Sequence, residues 1–386
     1  MEPICQRMKN KVVFLSCIDF NGSTAGSSRM HMYSKMLRAE GTEYEFYSIH
    51  DFYKNYKLIG KLTSRRHIRV ISYPLRLLLY VSSINNFVTK DDNTIFYLYP
   101  TSSVLVDYFL ILYLKLFKKQ MLFLEVNEVR RFGQGIRPKT VTYFKYALHE
   151  RLAKYFDGLV CISKNIETYY KKYNKNTLLI PILSNVDNQY KNNCNYQGDK
   201  IFNIGFTGSI HIEKENLAIF FAALSMTFKK GYPIVLNLYG PVSNENELYK
   251  LVDRYDLNSV VKYQGMVKQE LLTNILANQD LLVLPRAQSQ QNQYGFSTKL
   301  AEYLVSGVPV LITDVSDNLV YLTPNKDCIV ADYRNSTSFS AQIECLIINY
   351  NEVAEQLAEK AFISARKKFS YLVHSSNFRN FLGLSM

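Results

Sequence analysis

The chain has no tryptophan among its 386 residues, and its six cysteines (Cys5, Cys17, Cys161, Cys194, Cys328 and Cys345) include no CxxC and no close pair. A disulfide-stapled miniprotein is excluded by that spacing and by the length. No Asp-x-Asp occurs, and the six histidines (His31, His50, His67, His149, His211 and His374) form no ligand-spaced cluster. No cofactor and no essential metal are therefore expected. No stretch reaches the roughly 18 uninterrupted apolar residues of a spanning helix. Residues 108–116 come nearest, and Lys115, Lys118 and Lys119 cut them short. The start, Met1-Glu2-Pro3, lacks the basic-then-apolar design of a signal peptide. The expected compartment is a reducing cytoplasm, with a peripheral place on the inner face of the cytoplasmic membrane as the extension of that reading.

What is present is core material. Apolar residues make up 47% of the chain and aromatics 14%, with 30 Tyr and 23 Phe, against 20% charged residues. Such a composition folds. At about 100–200 residues per domain the length fits two domains. The net charge of +13 lies wholly in residues 1–190, while residues 191–386 are neutral. A basic first half beside a neutral second half points to different partners, the first half meeting a polyanion, an anionic membrane surface or a phosphorylated substrate. Simple colloidal solubility would give the same charge.

Short apolar runs alternate with helix-period segments along the whole chain, the pattern of parallel sheets covered by helices. In the first half the strand candidates are 12–16, 45–48, 94–97, 122–126, 158–162 and 177–180. The alternation restarts at 202–207, 235–239, 260–263, 281–284, 310–313 and 328–331. Between the halves, residues 184–200 are rich in Asn, Asp and Gln and read as a linker, placing a boundary near 190. The predicted architecture is α/β, with domains at 1–190 and 191–369 and a terminal segment at 370–386. Loops after the carboxyl ends of the strands should carry the chemistry.

The most informative stretch is 281–313, LLVLPRAQSQQNQYGFSTKLAEYLVSGVPVLIT: a strand ending at Arg286, a Gln-rich loop, a helix from about Phe296 to Gly307, and a strand. Leu300, Tyr303 and Leu304 form a buried stripe, which places Lys299 and Glu302 on another, accessible face. Free backbone N–H groups at this helix start, close approach at Gly295 and the charge of Lys299 suit a diphosphate. Glu302 suits sugar hydroxyls. An ordinary helix start with a surface Lys–Glu pair would read the same way. A second strand, Gly-containing loop and helix spans 202–231, with Gly205, Gly208 and Lys214 matching neither GxGxxG nor GxxxxGK[ST]. A third Gly-rich loop, residues 21–29, holds Gly22 and Gly26 and opens a helix; a flexible tether reads alike.

Together these segments resemble the retaining, family-4 type glycosyltransferases of the GT-B fold, a bacterial polysaccharide-building group whose two Rossmann-like domains face each other across a cleft. The strongest part, PRAQSQQNQYGFSTKLAEYLVSGVPVLIT, looks like the signature PR…GFxxKLxEYLxxGxPVxxT. LEVNE at 124–128, HERLAKYFDGLVCIS at 149–163, IPILSNVD at 180–187, GFTGSIHIEKENL at 205–217 and GPVSNENELYKLV at 240–252 echo it in order.

The resemblance implies that Gly295, Phe296, Ser297 and Thr298 bind the nucleotide diphosphate through backbone amides. Gly208, Ser209, Tyr294 and Lys299 would complete the donor site, Glu302 would hold the ribose, and Lys214 would be the loop lysine facing the phosphates. The donor would be UDP- or GDP-linked. Two departures are visible. Tyr294 stands where many members carry the first carboxylate of Glu-x7-Glu, and Ser209 stands where members often have an arginine. Arg286 is the candidate for the missing second cation. In the family the first domain binds the acceptor, and the resemblance implies that the terminal segment at 370–386 crosses back to that domain. Here Lys57, Lys61, Arg65, Arg66, Arg69 and Arg76 lie among aromatic and aliphatic residues, which suits an anionic membrane interface and a lipid-linked saccharide. Gly22, Gly26, Glu125, Asn127, Glu128 and His149 are the acceptor-contact candidates. The resemblance thus implies sugar transfer to a glycan hydroxyl. A silent nucleotide- or saccharide-binding protein and a nucleotide-sugar epimerase share the fold and stay open; nucleic-acid binding lacks a recognisable module.

Overall fold

The computed structural model describes residues 11–48, 83–84, 94–133 and 135–384, except positions 17, 21, 23, 40, 101–103, 187, 188 and 199. The basic stretch from Lys57 to Arg76 lies outside the described residues. The chain divides into two compact units, Met1–Ile180 with His374–Met386, and Pro181–Val373.

The first unit is built from β1 (Lys11–Ser16), α1 (Ala25–Arg38), β2 (Glu43–Ser48), β3 (Thr94–Leu98), α2 (Val104–Ile111), β4 (Met121–Val126), α3 (Val141–Leu152), β5 (Gly158–Cys161), α4 (Lys164–Tyr170) and β6 (Thr177–Leu179). A π-helical stretch, Leu112–Phe117, continues α2. The six strands form one parallel sheet in the order β2-β1-β3-β4-β5-β6. Its central strands are apolar on both faces, so Val12 to Leu15 and Phe96 to Leu98 are wholly buried. The edge strand β2 instead alternates, with Glu43 and Glu45 turned to solvent. Side-chain oxygens start three helices: Thr24 accepts from Ser27 N, Thr140 from Tyr143 N and Ser163 from Ile166 N.

The second unit follows the same logic with β7 (Phe202–Thr207), α5 (Leu217–Lys229), β8 (Ile234–Tyr239), α6 (Glu245–Arg254), β9 (Val261–Gly265), α7 (Gln269–Ala277), β10 (Leu281–Leu284), α8 (Gln290–Gln293), α9 (Thr298–Leu304), β11 (Val310–Thr313), α10 (Asn318–Tyr321), β12 (Ile329–Ala331), α11 (Ser336–Ile348) and α12 (Tyr350–Lys368). Its parallel sheet runs β12-β11-β10-β7-β8-β9. The strand order reverses at β1/β3 in one sheet and at β7/β10 in the other, the places where open parallel sheets collect ligands.

One segment differs from the reading of the sequence. The Asn-rich stretch taken for a linker is fastened to the second unit: Asn193 N donates to Gly307 O at 3.1 Å, its Nδ2 to Ser306 O at 2.6 Å, and Tyr190 packs on Phe362 at 5.6 Å. Polar composition hid a packed segment, and the division falls at Ile180/Pro181 instead of near 190. The last helix, α13 (Tyr371–Phe381), places Phe378 in a stack on Tyr33 at 4.6 Å and Phe381 against Phe123 at 5.4 Å. Its residues from His374 onward belong to the first unit.

Candidate functional site

In the second unit the loops after β7 and β10 meet at the β7/β10 reversal. Glu215 lies in the first loop and is 1% exposed. Arg286, at the end of β10, donates to both its oxygens, Nε to Oε2 at 3.1 Å and a terminal nitrogen to Oε1 at 3.2 Å. Lys299, in the first turn of α9, donates to Oε1 at 3.0 Å and to Ser209 O at 3.1 Å. One carboxylate thus holds two cations. Its burial alone would raise its pKa, but Arg286 and Lys299 outweigh that and hold it at about 2. Lys299 is pulled down to about 8, first by burial, while Glu215 resists and Arg286 assists.

This corrects the expected surface Lys–Glu pair. Lys299 is only 13% exposed at its side chain, and its ion pair is with Glu215. Its stem fills the space over Gly208, where a Cβ would stand 2.7 Å from Lys299 Cε and where φ is +97°. Its Nζ lies 4.0 Å from the centre of the Phe206 ring. Glu302 is half-buried, and burial pushes its carboxyl up to about 7 against the pull of Lys299. Lys214 is half-buried; its carbonyl accepts from Asn292 Nδ2 at 2.8 Å, and its charge acts on both His211 and Lys299. The His211 imidazole is held below its ordinary range, first by burial and then by Lys214.

The Gln-rich loop contains α8, a turn that the sequence pattern did not show. Ser289 caps it, and Tyr294 closes it by donating its N–H to Gln290 O at 3.1 Å. The amide of Gly295 is used locally, donating to Asn292 O at 3.3 Å, and its carbonyl accepts from Ser316 Oγ. A free Gly295 amide was the expectation; the α8 turn claims it. Phe296 is a core anchor, stacked on Tyr321 at 5.6 Å. Ser297 Oγ is buried and has no hydrogen-bond partner among the described residues. Thr298 opens α9. Leu300, Tyr303 and Leu304 are buried as their spacing predicts, and Tyr303 Oη accepts from Thr207 N at 2.8 Å, tying the end of β7 to α9.

In the first unit, a cavity of about 190 Å³ is lined by Tyr99, Glu125, Asn127, Glu128 and His149 among others. It brings together four of the acceptor-contact candidates. Glu125, however, is fully buried: Arg29 Nε donates to Oε1 at 2.5 Å and Tyr97 Oη donates to Oε2. The expectation that its carboxylate faces a ligand is corrected. It is the last but one residue of a strand buried on both faces, and Arg29 and Tyr97 hold its carboxylate in the core. His149 is fixed by Asp107, Nε2 to Oδ2 at 2.6 Å. Asn127 Oδ1 and Glu150 Oε1 are buried with no partner among the described residues. Gly26 lies in the first turn of α1, where a Cβ would stand 2.7 Å from Tyr99 Oη, so the backbone approaches the cavity wall. Gly22 N donates to Asp19 O at 3.0 Å in the loop before it.

Reading the sequence missed Glu215, Asn292, Tyr303 and Asp107 as organisers of these sites. Glu215 stands inside a quoted motif, but its role needs Arg286 and Lys299, which are 71 and 84 residues away.

Residues 201–349, within the second unit, match the family model described as Glycosyl transferases group 1. No curated protein matches the chain by sequence. Among solved structures, TarM from S. aureus is 16% identical with a TM-score of 0.61, over 80% of this chain and 59% of its own. The chain thus spans about three-fifths of the length of that neighbour. Sucrose-phosphate synthase from Thermosynechococcus elongatus is 13% identical with a TM-score of 0.72, over 98% of this chain and 100% of its own. HepE from Anabaena, solved with UDP, is 12% identical with a TM-score of 0.66, over 97% of this chain and 99% of its own. The fold is GT-B.

Proposed function

We propose, from a GT-B fold and a match of residues 201–349 to the group 1 glycosyltransferase model, that the protein moves a sugar from a UDP- or GDP-linked donor to a hydroxyl of a glycan acceptor. In this reading the anomeric configuration is retained, the acceptor is lipid-linked, and the product enters a surface polysaccharide. The observation that carries the reading is the pair of cations, Arg286 and Lys299, held on buried Glu215 at the strand-order reversal. Two positive charges against one negative leave a surplus in a poorly solvated place.

As the glycosidic bond of the donor breaks, negative charge grows on the departing nucleoside diphosphate. Cations already aimed at that oxygen stabilise the transition state without reorganising. Arg286 and Lys214 take that role, Lys299 and the 294–298 segment frame the diphosphate, and Glu302 accepts from the ribose hydroxyls. Gly208 and Ser209 form the opposite wall, since Gly208 leaves room and the Ser209 carbonyl directs Lys299. These side chains do the electrostatic work with no metal. HepE structures with UDP and with UDP-glucose, and TarM with UDP and alpha-GlcNAc-glycerol, support a nucleotide donor and a saccharide partner. In the first unit Gly22, Gly26, Asn127, Glu128 and His149 are the acceptor contacts, while Glu125 positions Arg29.

Calorimetric titration with UDP, GDP, ADP and CMP in the presence of a chelator tests the donor assignment. One nucleotide is expected to bind selectively, and Arg286→Ala should weaken it by roughly tenfold or more, the value of a charged hydrogen bond. Failure of all four to bind the folded protein would sink the reading.

A further inference from the structure

Among the described residues of the first unit, the exposed large apolar side chains are concentrated on two helices. On α2 and its π-helical continuation, Leu105, Tyr108, Phe109 and Leu116 are exposed, and Phe117 is 77% exposed. On α3, Val141 is 87% exposed, and Phe144 and Leu148 follow at steps of three and four, so the apolar stripe runs along the outside of the helix. A stripe at this spacing usually faces a core; here it faces outward. The two helices are successive crossovers, β3 to β4 and β4 to β5, stepping the same way across the sheet. Right-handed connections therefore place them side by side on one face. The His149–Asp107 bond joins them.

Among the described residues of 104–155 the exposed charge is mostly positive. Lys119, Arg137, Lys139, Lys145, Arg151 and Lys154 are exposed, and Glu128 is the only exposed acid among the described residues of 104–155. Asp107, Glu125 and Glu150 of the same stretch are buried. Apolar residues set among cations fit an interface whose headgroups are negative and whose interior is hydrocarbon. A second copy of the same face would bring like charges together. No helix among the described residues is long and apolar enough to cross a membrane, so the contact is one of lying on a surface.

We propose that α2, its π-helical continuation and α3 form the face by which the protein docks on an anionic lipid bilayer, with Leu116, Phe117, Val141 and Phe144 entering the headgroup region. This gives the membrane partner in the reading above a place on the molecule and rests on that reading only there.

The test is co-sedimentation of the full chain with vesicles of phosphatidylcholine alone and of phosphatidylcholine mixed with phosphatidylglycerol, without donor or acceptor. Binding is expected to the mixed vesicles and to fall with salt. Lys139→Gln with Lys145→Gln should lower it roughly thirtyfold, since each basic side chain at such a surface adds about fivefold. Phe117→Ser with Phe144→Ser should lower it about tenfold or more, and Met266→Ser, on an exposed residue of the second unit, should leave it unchanged. Thermal melts of the variants should match the parent, because the altered side chains are exposed. Equal binding to both vesicle types, or full binding by both double variants, would overturn the proposal. So would a concentration-dependent dimer that Phe117→Ser with Phe144→Ser returns to monomer. A chain that docks on vesicles but binds no nucleotide would break the donor reading and leave the docking face standing.

Discussion

Each unit buries a glutamate, Glu125 in the first and Glu215 in the second, and the two are used differently. Glu125 in the first unit meets Arg29 and Tyr97, and Arg29 spends a further donor on Ile180 O at 2.7 Å. One cation answers one anion, and both are sealed in the core. Glu215 in the second unit meets two cations on a loop and a helix start, and the charge of Lys214 acts on one of them, Lys299. The first arrangement is balanced and closed, which suits a strut joining β3, β4 and α1. The second carries surplus positive charge at the loops, which suits an anionic ligand. A buried ion pair is thus no sign of function by itself; the uncompensated charge is.

The largest expected effect breaks the strut. Arg29→Ala leaves Glu125 buried with no cation, and removal of one partner of such a pair costs about 3–5 kcal/mol. Urea unfolding of the variant should show that loss. A cost near zero would mean that the pair is no strut.

Next comes the tie between β7 and the helix that carries Lys299. Tyr303→Phe removes the oxygen that accepts from buried Thr207 N, and an orphaned buried donor costs about 1–3 kcal/mol. Nucleotide affinity should fall with stability, because α9 loses its register against the loop. Unchanged affinity in a destabilised variant would show that Lys299 is placed by Glu215 alone.

The smallest and most diagnostic effect is pH dependence. Glu302 is raised to about 7, so its ionised, acceptor form fills in as pH rises through that value. Lys299 is lowered to about 8, so its charge is lost as pH rises past it. Nucleotide affinity should peak between these values and drop up to about tenfold per pH unit above 8. Glu302→Gln should remove the rising limb and Lys299→Arg the falling one. For stability the sign is the usual one for a depressed carboxyl: the contribution of Glu215 is present at pH above its unfolded value and is lost as pH falls toward about 2.

The twelve strands were legible because parallel strands buried on both faces are short, continuous apolar runs bounded by turn residues, as LLVL at β10 shows. The α9 stripe was legible from its spacing alone. Lys299 was misplaced for an instructive reason. Helical periodicity assigns a face relative to the helix's own core stripe, but it is silent about what a neighbouring loop brings to the opposite face, and Glu215 is 84 residues away in the chain. Glu125 was misplaced because a strand ending at a loop says nothing of which side the last carboxylate takes; Arg29, 96 residues earlier, decides it.

Local order along the chain therefore determined the alternation, the two parallel sheets, the helix starts capped by Thr24, Thr140 and Ser163, and the charge of the first half, since each depends on residues within a turn or a strand of one another. Only the tertiary structure decided which charges are spent on each other and which remain for a ligand. That outcome depends on burial and on partners brought together from distant parts of the chain, and a few ångströms in a poorly solvated loop outweigh any pattern in sequence.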